Sequence, residues 1–337
     1  MLTPDQELTL EIAVEDALFR IKREYKRTNG QIYLGFSGGK DSTVMAHLIK
    51  MAELPTDIPF VFANTGIELE ATLRFVQEFD YPNIHIVKPR KPFAQVLKEN
   101  GKPALSKLKS EALSTYHKNI DNNPMQFSRV RQLVTGERER GGVKLGTPAS
   151  QRLANKHYHF LHPDLGFQVS NRCCSYLKKY PFADFEKEHQ MRGSFNGMRT
   201  AEGGTRSLML TSCVRVDRKK GEEFYFSTPI FDWSNEVVDL FIKKYNIRLS
   251  DAYEKYGMVR TGCMGCPYGR NVEQELKILY DHEPNRYKAT MFWLKDVYMN
   301  QMVECEWDED YMEEYRAFEL IREQRRQEML NTYRPKN

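Results

Sequence analysis

The stretch Ser37-Gly38-Gly39-Lys40-Asp41-Ser42 constrains this chain more than any other. It follows an apolar run, Ile32-Tyr33-Leu34-Gly35-Phe36, and precedes Val44, Met45, Leu48 and Ile49, which recur at helical spacing. The order is strand, tight glycine turn, helix N-terminus. Adjacent glycines let the backbone turn sharply and approach a ligand closely. The first amides of the following helix lack internal partners and carry the positive end of its dipole. A di- or triphosphate is the natural guest of such a turn. Ser37 and Ser42 add hydroxyls and Lys40 adds charge. Asp41 suits a phosphate site when Mg²⁺ bridges it to phosphate oxygens. The alternative is an ordinary Gly-Gly turn with a Lys–Asp surface pair. A Walker A loop is excluded, because it needs four residues between its glycines and then Lys-Ser/Thr.

The surrounding pattern predicts a doubly wound, mainly parallel α/β sheet. A helix is expected over residues 5–27 (Leu8, Ile12, Ala13, Ala17, Leu18, Ile21), capped by Thr3 or Asp5. A strand at 31–36, a helix at 40–52, the strand Pro59–Asn64, a helix at 69–79 and the strand Ile84–Val87 follow. This βαβαβ rhythm implies right-handed crossovers, with ligands beyond the carboxyl ends of the strands. Ser37–Ser42 and Asn64-Thr65-Gly66 both fall at such ends. Further on, a hairpin is expected over 213–228, a helix over 234–245 capped by Ser234, and a charged helix over 308–330.

Between residues 98 and 160 the rhythm breaks. Twelve Lys/Arg face five Asp/Glu there, among them Arg129, Arg131, Arg138 and Arg140. Two readings remain open: a solvated insertion, or a cationic arm for a polyanion, with Tyr116, Phe127, Tyr158 and Phe160 suited to base stacking. The net charge of +4 over 337 residues does not by itself mark a nucleic-acid binder. No run approaches the roughly 18 apolar residues of a membrane span. The start, Met1-Leu2-Thr3-Pro4-Asp5-Gln6-Glu7, is unlike a signal peptide, so a cytoplasmic location is expected. The six cysteines would there be reduced, and clustered ones point to metal or redox chemistry.

Four cysteines form two pairs, Cys173-Cys174 and Cys263-Met264-Gly265-Cys266. Four thiolates can hold Zn²⁺ or an iron–sulfur cluster. Adjacent cysteines are awkward around one tetrahedral ion, whereas a cluster offers each sulfur its own iron. Free buried cysteines are the remaining alternative. Cys213, on an expected strand, reads as buried and inert.

The loop Ser37–Ser42 resembles the PP-loop of the adenine nucleotide alpha-hydrolase superfamily, which includes ATP pyrophosphatases and sulfonucleotide reductases. Cys-Cys, Lys178-Lys179 and a distant Cys-x-x-Cys-Pro are similar to the [4Fe-4S] ligand set of assimilatory adenylylsulfate reductases. A similar set occurs in the sulfur-inserting enzyme of DNA phosphorothioation. Gly197-Met198-Arg199-Thr200-Ala201-Glu202-Gly203-Gly204-Thr205-Arg206 resembles the family element G-x-R-x-x-E-S-x-x-R, with Gly203 where serine is usual. From about Gln31 to Pro284 the chain resembles the phosphoadenosine phosphosulfate reductase family, especially uncharacterised members on phages and mobile elements. It departs in two ways. The reductases proper have a phosphate loop without the Lys-Asp-Ser ending. They also carry a nucleophilic cysteine in Glu-Cys-Gly-Leu-His, for which the nearest match here is Glu304-Cys305-Glu306-Trp307.

The resemblance implies ATP with Mg²⁺, or adenylylsulfate, as the nucleotide. Ser37, Gly38, Gly39 and Ser42 would hold pyrophosphate, and Lys40 would stabilise its charge. Asp41 would position Mg²⁺, and Arg199 and Arg206 would clamp the polyphosphate. Asn64, Thr65 and Gly66 would face the nucleoside. Cys173, Cys174, Cys263 and Cys266 would ligate a [4Fe-4S] cluster. An adenylating, sulfur-transferring enzyme is the first expectation. A sulfonucleotide reductase using Cys305 or an external thiol is the second, and a non-catalytic nucleic-acid-binding module the third. The implied partners are an acceptor, nucleic acid or small metabolite, and a sulfur donor such as a cysteine desulfurase or a thiol reductant; no membrane is expected. The expected regions are a nucleotide domain (1–97 and 161–250), a basic insertion (98–160) and a cysteine-containing, iron–sulfur C-terminal region (251–337).

Overall fold

The computed structural model describes residues 2–140, 143–203, 211–219 and 222–334. The chain divides into two units, 1–90 with 178–262 and 91–177 with 263–337. This differs from the regions expected above: the basic stretch and the C-terminal region fall in one unit.

The first unit opens with α1 (Pro4–Arg27), β1 (Ile32–Gly35), α2 (Lys40–Met51), β2 (Phe60–Ala63), α3 (Glu70–Gln77) and β3 (Ile84–Val87). The hairpin β4 (Glu137–Arg140) and β5 (Val143–Gly146) belongs to the second unit. The first unit resumes with the helix Tyr180–Glu188, β6 (Gly193–Phe195), β7 (Val214–Lys219), β8 (Glu222–Ser227) and the helix Asn235–Lys244. Its sheet has the order β3-β2-β1-β6-β8-β7 and is parallel except for the β7–β8 hairpin. Sequence order reverses beside β1, and such a switch opens a crevice at the carboxyl ends. The tip of the hairpin, Lys220-Gly221, lies outside the described residues.

Alternation along the strands explains the two-sided cover. Ile32, Leu34, Phe60 and Phe62 face a core shared with α1, α2, α3 and the helix Asn235–Lys244. Tyr33 and Val61 face the other way, against Phe185 and Phe182. Period-two alternation with apolar residues on both faces is what a sheet covered by helices requires. Thr3 caps α1 through a reciprocal box with Gln6, and Ser234 caps its helix by accepting from the Val237 amide at 3.2 Å. The buried stripe of α1 is Leu10, Val14, Ala17 and Ile21. Leu8 and Ile12, expected on that stripe, are 59% and 60% exposed. Positions two apart on a helix point to opposite sides, so Leu10 in and Leu8 out is one choice. Cys213 is half-buried rather than buried; it precedes β7 and accepts from Arg23 Nη2 at 3.3 Å.

The second unit is helical. The helices Phe93–Asn100, Lys107–Lys118 and Ser128–Val134 come from the basic stretch, and Val272–His282, Pro284–Gln301 and Glu309–Tyr333 from the C-terminal part. Tyr116, Tyr158 and Phe160, candidates for base stacking, are buried at 1%, 0% and 0% exposure. That corrects the expectation of an open aromatic surface; among the four, only Phe127 is exposed. The stretch is tied to the C-terminal helices. Tyr116 and Tyr333 share a hydroxyl hydrogen bond of 2.8 Å, and Lys102 pairs with Asp296 at 2.6 Å. No helix among the described residues is long and apolar enough to cross a membrane.

His159 supplies a pH test of this unit. It is fully buried, and its Nε2–H donates to Asn300 O at 2.8 Å. Burial pushes its pKa down to about 4, against about 6.5 when unfolded. Between those values only the unfolded chain binds the proton. The stability is therefore fully present above pH 6.5 and is lost as pH falls toward 4, at about 1.4 kcal/mol per pH unit. Urea unfolding at pH 7 and pH 5 should show a shallower acid loss in His159→Gln than in wild type; equal losses would remove His159 from this account.

Candidate active site

The crevice of the first unit is a cavity of about 410 Å³ at the ends of β1 and β2. Ser37, Gly39, Lys40, Asp41 and Ser42 form one wall, with Phe36, Phe62, Ala63 and Thr72 beneath. Lys178 and Phe182, Asn196 to Met198 with Glu202, and Tyr253 with Arg260 to Gly262 complete it. The loop is built as expected. Gly38 has a φ of +67°, and a Cβ there would meet Val76 Cγ2 at 2.8 Å. Gly39 is the N-cap of α2 and has no side chain to cap it; the first helical amide, that of Lys40, donates to Tyr253 Oη, and the helix dipole favours an anion at this end. Ser42 Oγ takes the Ser37 amide at 3.2 Å and lies 3.0 Å from Ser37 Oγ, which preorganises the turn.

Other expected residues are placed differently. Asn64, Thr65 and Gly66 do not line the cavity; their neighbours Ala63 and Glu68 do. Thr65 is 2% exposed and donates through its amide (2.9 Å) and hydroxyl (2.7 Å) to the Glu68 carboxylate, so the loop presents Glu68. Lys178 Nζ lies 3.9 Å from the same carboxylate. Arg199 is 3% exposed and absent from the lining. Its Nε donates to Asp41 Oδ1 (2.9 Å), Nη1 to Trp233 O (3.1 Å) and Nη2 to Asn235 Oδ1 (3.1 Å). With all three nitrogens engaged, it reaches the site through Asp41. Glu202 accepts from the Arg199 amide at 3.2 Å. Arg206 lies outside the described residues. Lys40 Nζ pairs with Asp239 at 3.1 Å, a surface contact that a ligand displaces at little cost.

The lining carries three cations, Lys40, Lys178 and Arg260, and three carboxylates, Asp41, Glu68 and Glu202. A bare polyphosphate would meet both signs; one accompanied by a divalent cation is matched to both. Sequence reading missed Glu68, Phe182, Tyr253 and Arg260. Lys178 and Thr261-Gly262 flank the two cysteine pairs in the chain, but spacing gave no reason to assign them to a nucleotide cavity.

The four paired cysteines all lie in the second unit. Cys173 is raised first by its hydrogen bond with Cys174, then by burial and by the charges of Cys174, Cys266 and Cys263. Cys266 is pushed up to about 12, first by burial and then by Cys263. Cys174 and Cys263 thus act on both the Cys173 and the Cys266 thiol. Among the described residues no group of three or more His, Cys, Asp or Glu closes on a single metal ion. The Cys263–Cys266 turn is held by Tyr298, whose hydroxyl donates to Gly265 O. Cys305 is 0% exposed, and its thiol is pushed up to about 12, by burial first and Asp308 next. The flanking Glu304 and Glu306 are not among the causes.

The family description "Phosphoadenosine phosphosulfate reductase domain" matches residues 31–142 and 126–268. The chain belongs to this family. Members of the phosphoadenosine phosphosulfate reductase family are nucleotide-utilising enzymes built on a PP-loop-type fold. An uncharacterised protein of Methanocaldococcus jannaschii is 36% identical over 91 residues, covering 26% of this chain and 19% of that protein. A second from the same organism is 24% identical over 275 residues, covering 79% and 50%. The chain thus spans half or less of these relatives. Among solved structures, phosphoadenylyl-sulfate reductase from Candida auris in a phosphate complex is 14% identical, with 78% of this chain and 96% of that one covered and a TM-score of 0.43. FMN adenylyltransferase from Candida glabrata with FAD and inorganic pyrophosphate is 12% identical, with 78% and 67% covered and a TM-score of 0.45. At these scores neither likeness carries an inference about ligand or reaction.

A further family-element glycine sets the loop position. A Cβ on Gly197 would lie 2.7 Å from Asp41 O and 3.0 Å from the Ser42 amide nitrogen, both backbone atoms. Gly197→Ala must displace the first turn of α2. The expected outcome is a loss of nucleotide turnover on the order of 10²-fold with circular dichroism unchanged; full turnover would show that the loop position does not matter.

Proposed function

We propose that this protein is an ATP-pyrophosphatase-type enzyme that adenylates an acceptor for sulfur transfer. An acceptor oxygen attacks the α-phosphorus of ATP, pyrophosphate leaves, and a sulfur nucleophile then displaces AMP from the acceptor. The turn Ser37-Gly38-Gly39 and Ser42 would hold the pyrophosphate, and Lys40 would stabilise the charge that builds on it. Asp41 would hold Mg²⁺, which supplies charge neutralisation between phosphate groups. Arg199 would fix the Asp41 carboxylate, and Arg206, which lies outside the described residues, would clamp the polyphosphate as the resemblance implies. The nucleoside would meet Ala63 and Glu68 beside Asn64-Thr65-Gly66. The observation that carries this reading is the mixed-charge lining around the glycine N-cap of α2, which suits a metal–polyphosphate more than a bare anion.

Cys173, Cys174, Cys263 and Cys266 would ligate a [4Fe-4S] cluster; the electrostatic influence of Cys174, Cys263 and Cys266 on the Cys173 thiol supports their lying near one another. Such a cluster supplies a sulfur relay or a structural brace. A cytoplasmic setting, which keeps thiols reduced, goes with this reading. The sulfur donor would be a cysteine desulfurase or a thiol, and the acceptor a nucleic acid or a small metabolite. Sulfite release from adenylylsulfate or its 3′-phosphate is the second reading, supported by a family description that names a phosphoadenosine phosphosulfate reductase. The burial of Cys305 weighs against it as the attacking thiol, leaving an external thiol.

Anaerobic protein given ATP with Mg²⁺, and separately adenylylsulfate with thiol, separates the two. Pyrophosphate release in the first tube is expected. Lys40→Ala should slow it by something like 10²–10³-fold, and Asp41→Ala should abolish the Mg²⁺-dependent rate. Cys305→Ser should be nearly silent. Thiol-dependent sulfite in the second tube alone would overturn the reading.

Iron content tests the cysteines independently of turnover. Anaerobic protein should be brown, with about four irons per chain, and Cys266→Ser should lose them. Colourless protein with one tight zinc would refute the cluster.

A further inference from the structure

The hydroxyls of Tyr253 and Thr261 are tied to the phosphate loop in a way that fixes their protons. Tyr253 Oη accepts from the amide of Lys40 at 3.1 Å and from the amide of Thr261 at 3.1 Å. It also lies 3.1 Å from Thr261 Oγ1. A phenol oxygen offers one proton and two lone pairs. The two amides use both lone pairs, so in the third bond Tyr253 donates and Thr261 accepts. The proton of Thr261 is left to donate elsewhere. Both residues line the cavity beside Gly39 and Lys40.

Gly39 locates the point toward which these hydroxyls converge. A Cβ there would meet Thr261 Oγ1 at 2.9 Å, Ser37 Oγ at 3.2 Å and Tyr253 Oη at 3.4 Å. Its φ of −84° suits any residue, so space is what glycine supplies at this position. Three hydroxyls from two separate segments ring the N-cap of α2, where the helix dipole favours an anion.

We infer that Thr261 is a polyphosphate-binding residue and that Tyr253 is the residue that positions it. Thr261 donates its hydroxyl proton to a phosphate oxygen at the α2 N-terminus. Tyr253 fixes the direction of that donation by satisfying the Thr261 oxygen and by joining it to the Lys40 amide. The inference rests on the proposed reading of the cavity as a nucleotide site and adds a donor from outside the phosphate loop.

Equilibrium binding of ATP and of inorganic pyrophosphate to the full chain tests it. A hydrogen bond to a charged oxygen predicts roughly 10- to 100-fold weaker binding of both probes by Thr261→Val. Thr261→Ser, which keeps the hydroxyl, should stay within about threefold of wild type. Tyr253→Phe should weaken pyrophosphate binding in the wild-type background and add no further loss to Thr261→Val. Independent, additive losses would overturn the positioning role of Tyr253. If wild type binds both probes and Thr261→Val binds them equally well, the inference fails while the nucleotide reading stands. If wild type binds neither probe, the nucleotide reading fails and the inference with it.

Discussion

The contact between Arg199 and Asp41 holds the site of the first unit together. One buried guanidinium ties three places: the first turn of α2 through Asp41, the backbone at Trp233, and Asn235 at the start of the next helix. Burying a guanidinium is costly unless each nitrogen finds a partner, and here each does. The return is geometric. Asp41 is held by one carboxylate oxygen, and Gly197 lets the strand-end turn lie against the same helical turn, where any Cβ would come within 2.7 Å of Asp41 O. A loop that must hold a phosphate chain to within a fraction of an ångström needs such bracing, because flexible donors would spend binding energy on their own ordering.

The same logic explains why the cavity is lined by so many residues from outside the loop. Parallel strands bring their carboxyl ends to one edge, so the turns after β1, β2 and β6 meet there by topology alone. The turns then divide the work. The glycine turn after β1 presents amides and hydroxyls. The turn after β2 folds Thr65 inward to present Glu68. The turn after β6 contributes Asn196, Gly197, Met198 and Glu202, while its Arg199 is committed below the surface.

The nucleotide unit was largely legible in the sequence because its determinants are local. Strand–glycine–helix order, the caps Thr3 and Ser234, and the β7–β8 hairpin all depend on residues within a few positions of one another. What was not legible depends on distant partners. The short helices of 98–160 carry little period of their own, because Tyr116 and Lys102 find Tyr333 and Asp296 about two hundred residues away. Arg199 looked like a ligand clamp because of the family element it resembles; that Trp233 and Asn235 absorb its donors is a tertiary fact. Cys305 sits between two glutamates in the sequence, yet what raises its thiol is burial by helix packing, with Asp308 next.

Burial of the aromatics also reshapes what a nucleic-acid acceptor would have to be. Tyr116, Tyr158 and Phe160 are spent on the interior, so they offer no faces for stacked bases. The cations of the stretch are partly spent as well. Arg129 pairs with Glu111, and Arg131 donates to the carbonyls of Met125 and Gln126 at 2.8 and 2.7 Å. A phosphate backbone would have to displace these contacts, so each arginine would gain less than a free one. Recognition through this stretch would then rest on charge, with Phe127 alone of its four candidate aromatics exposed for stacking. Charge-based binding is indifferent to sequence and falls steeply with salt. Selectivity for an acceptor would have to come from the cavity of the first unit, whose lining includes Lys178, Arg260 and Thr261.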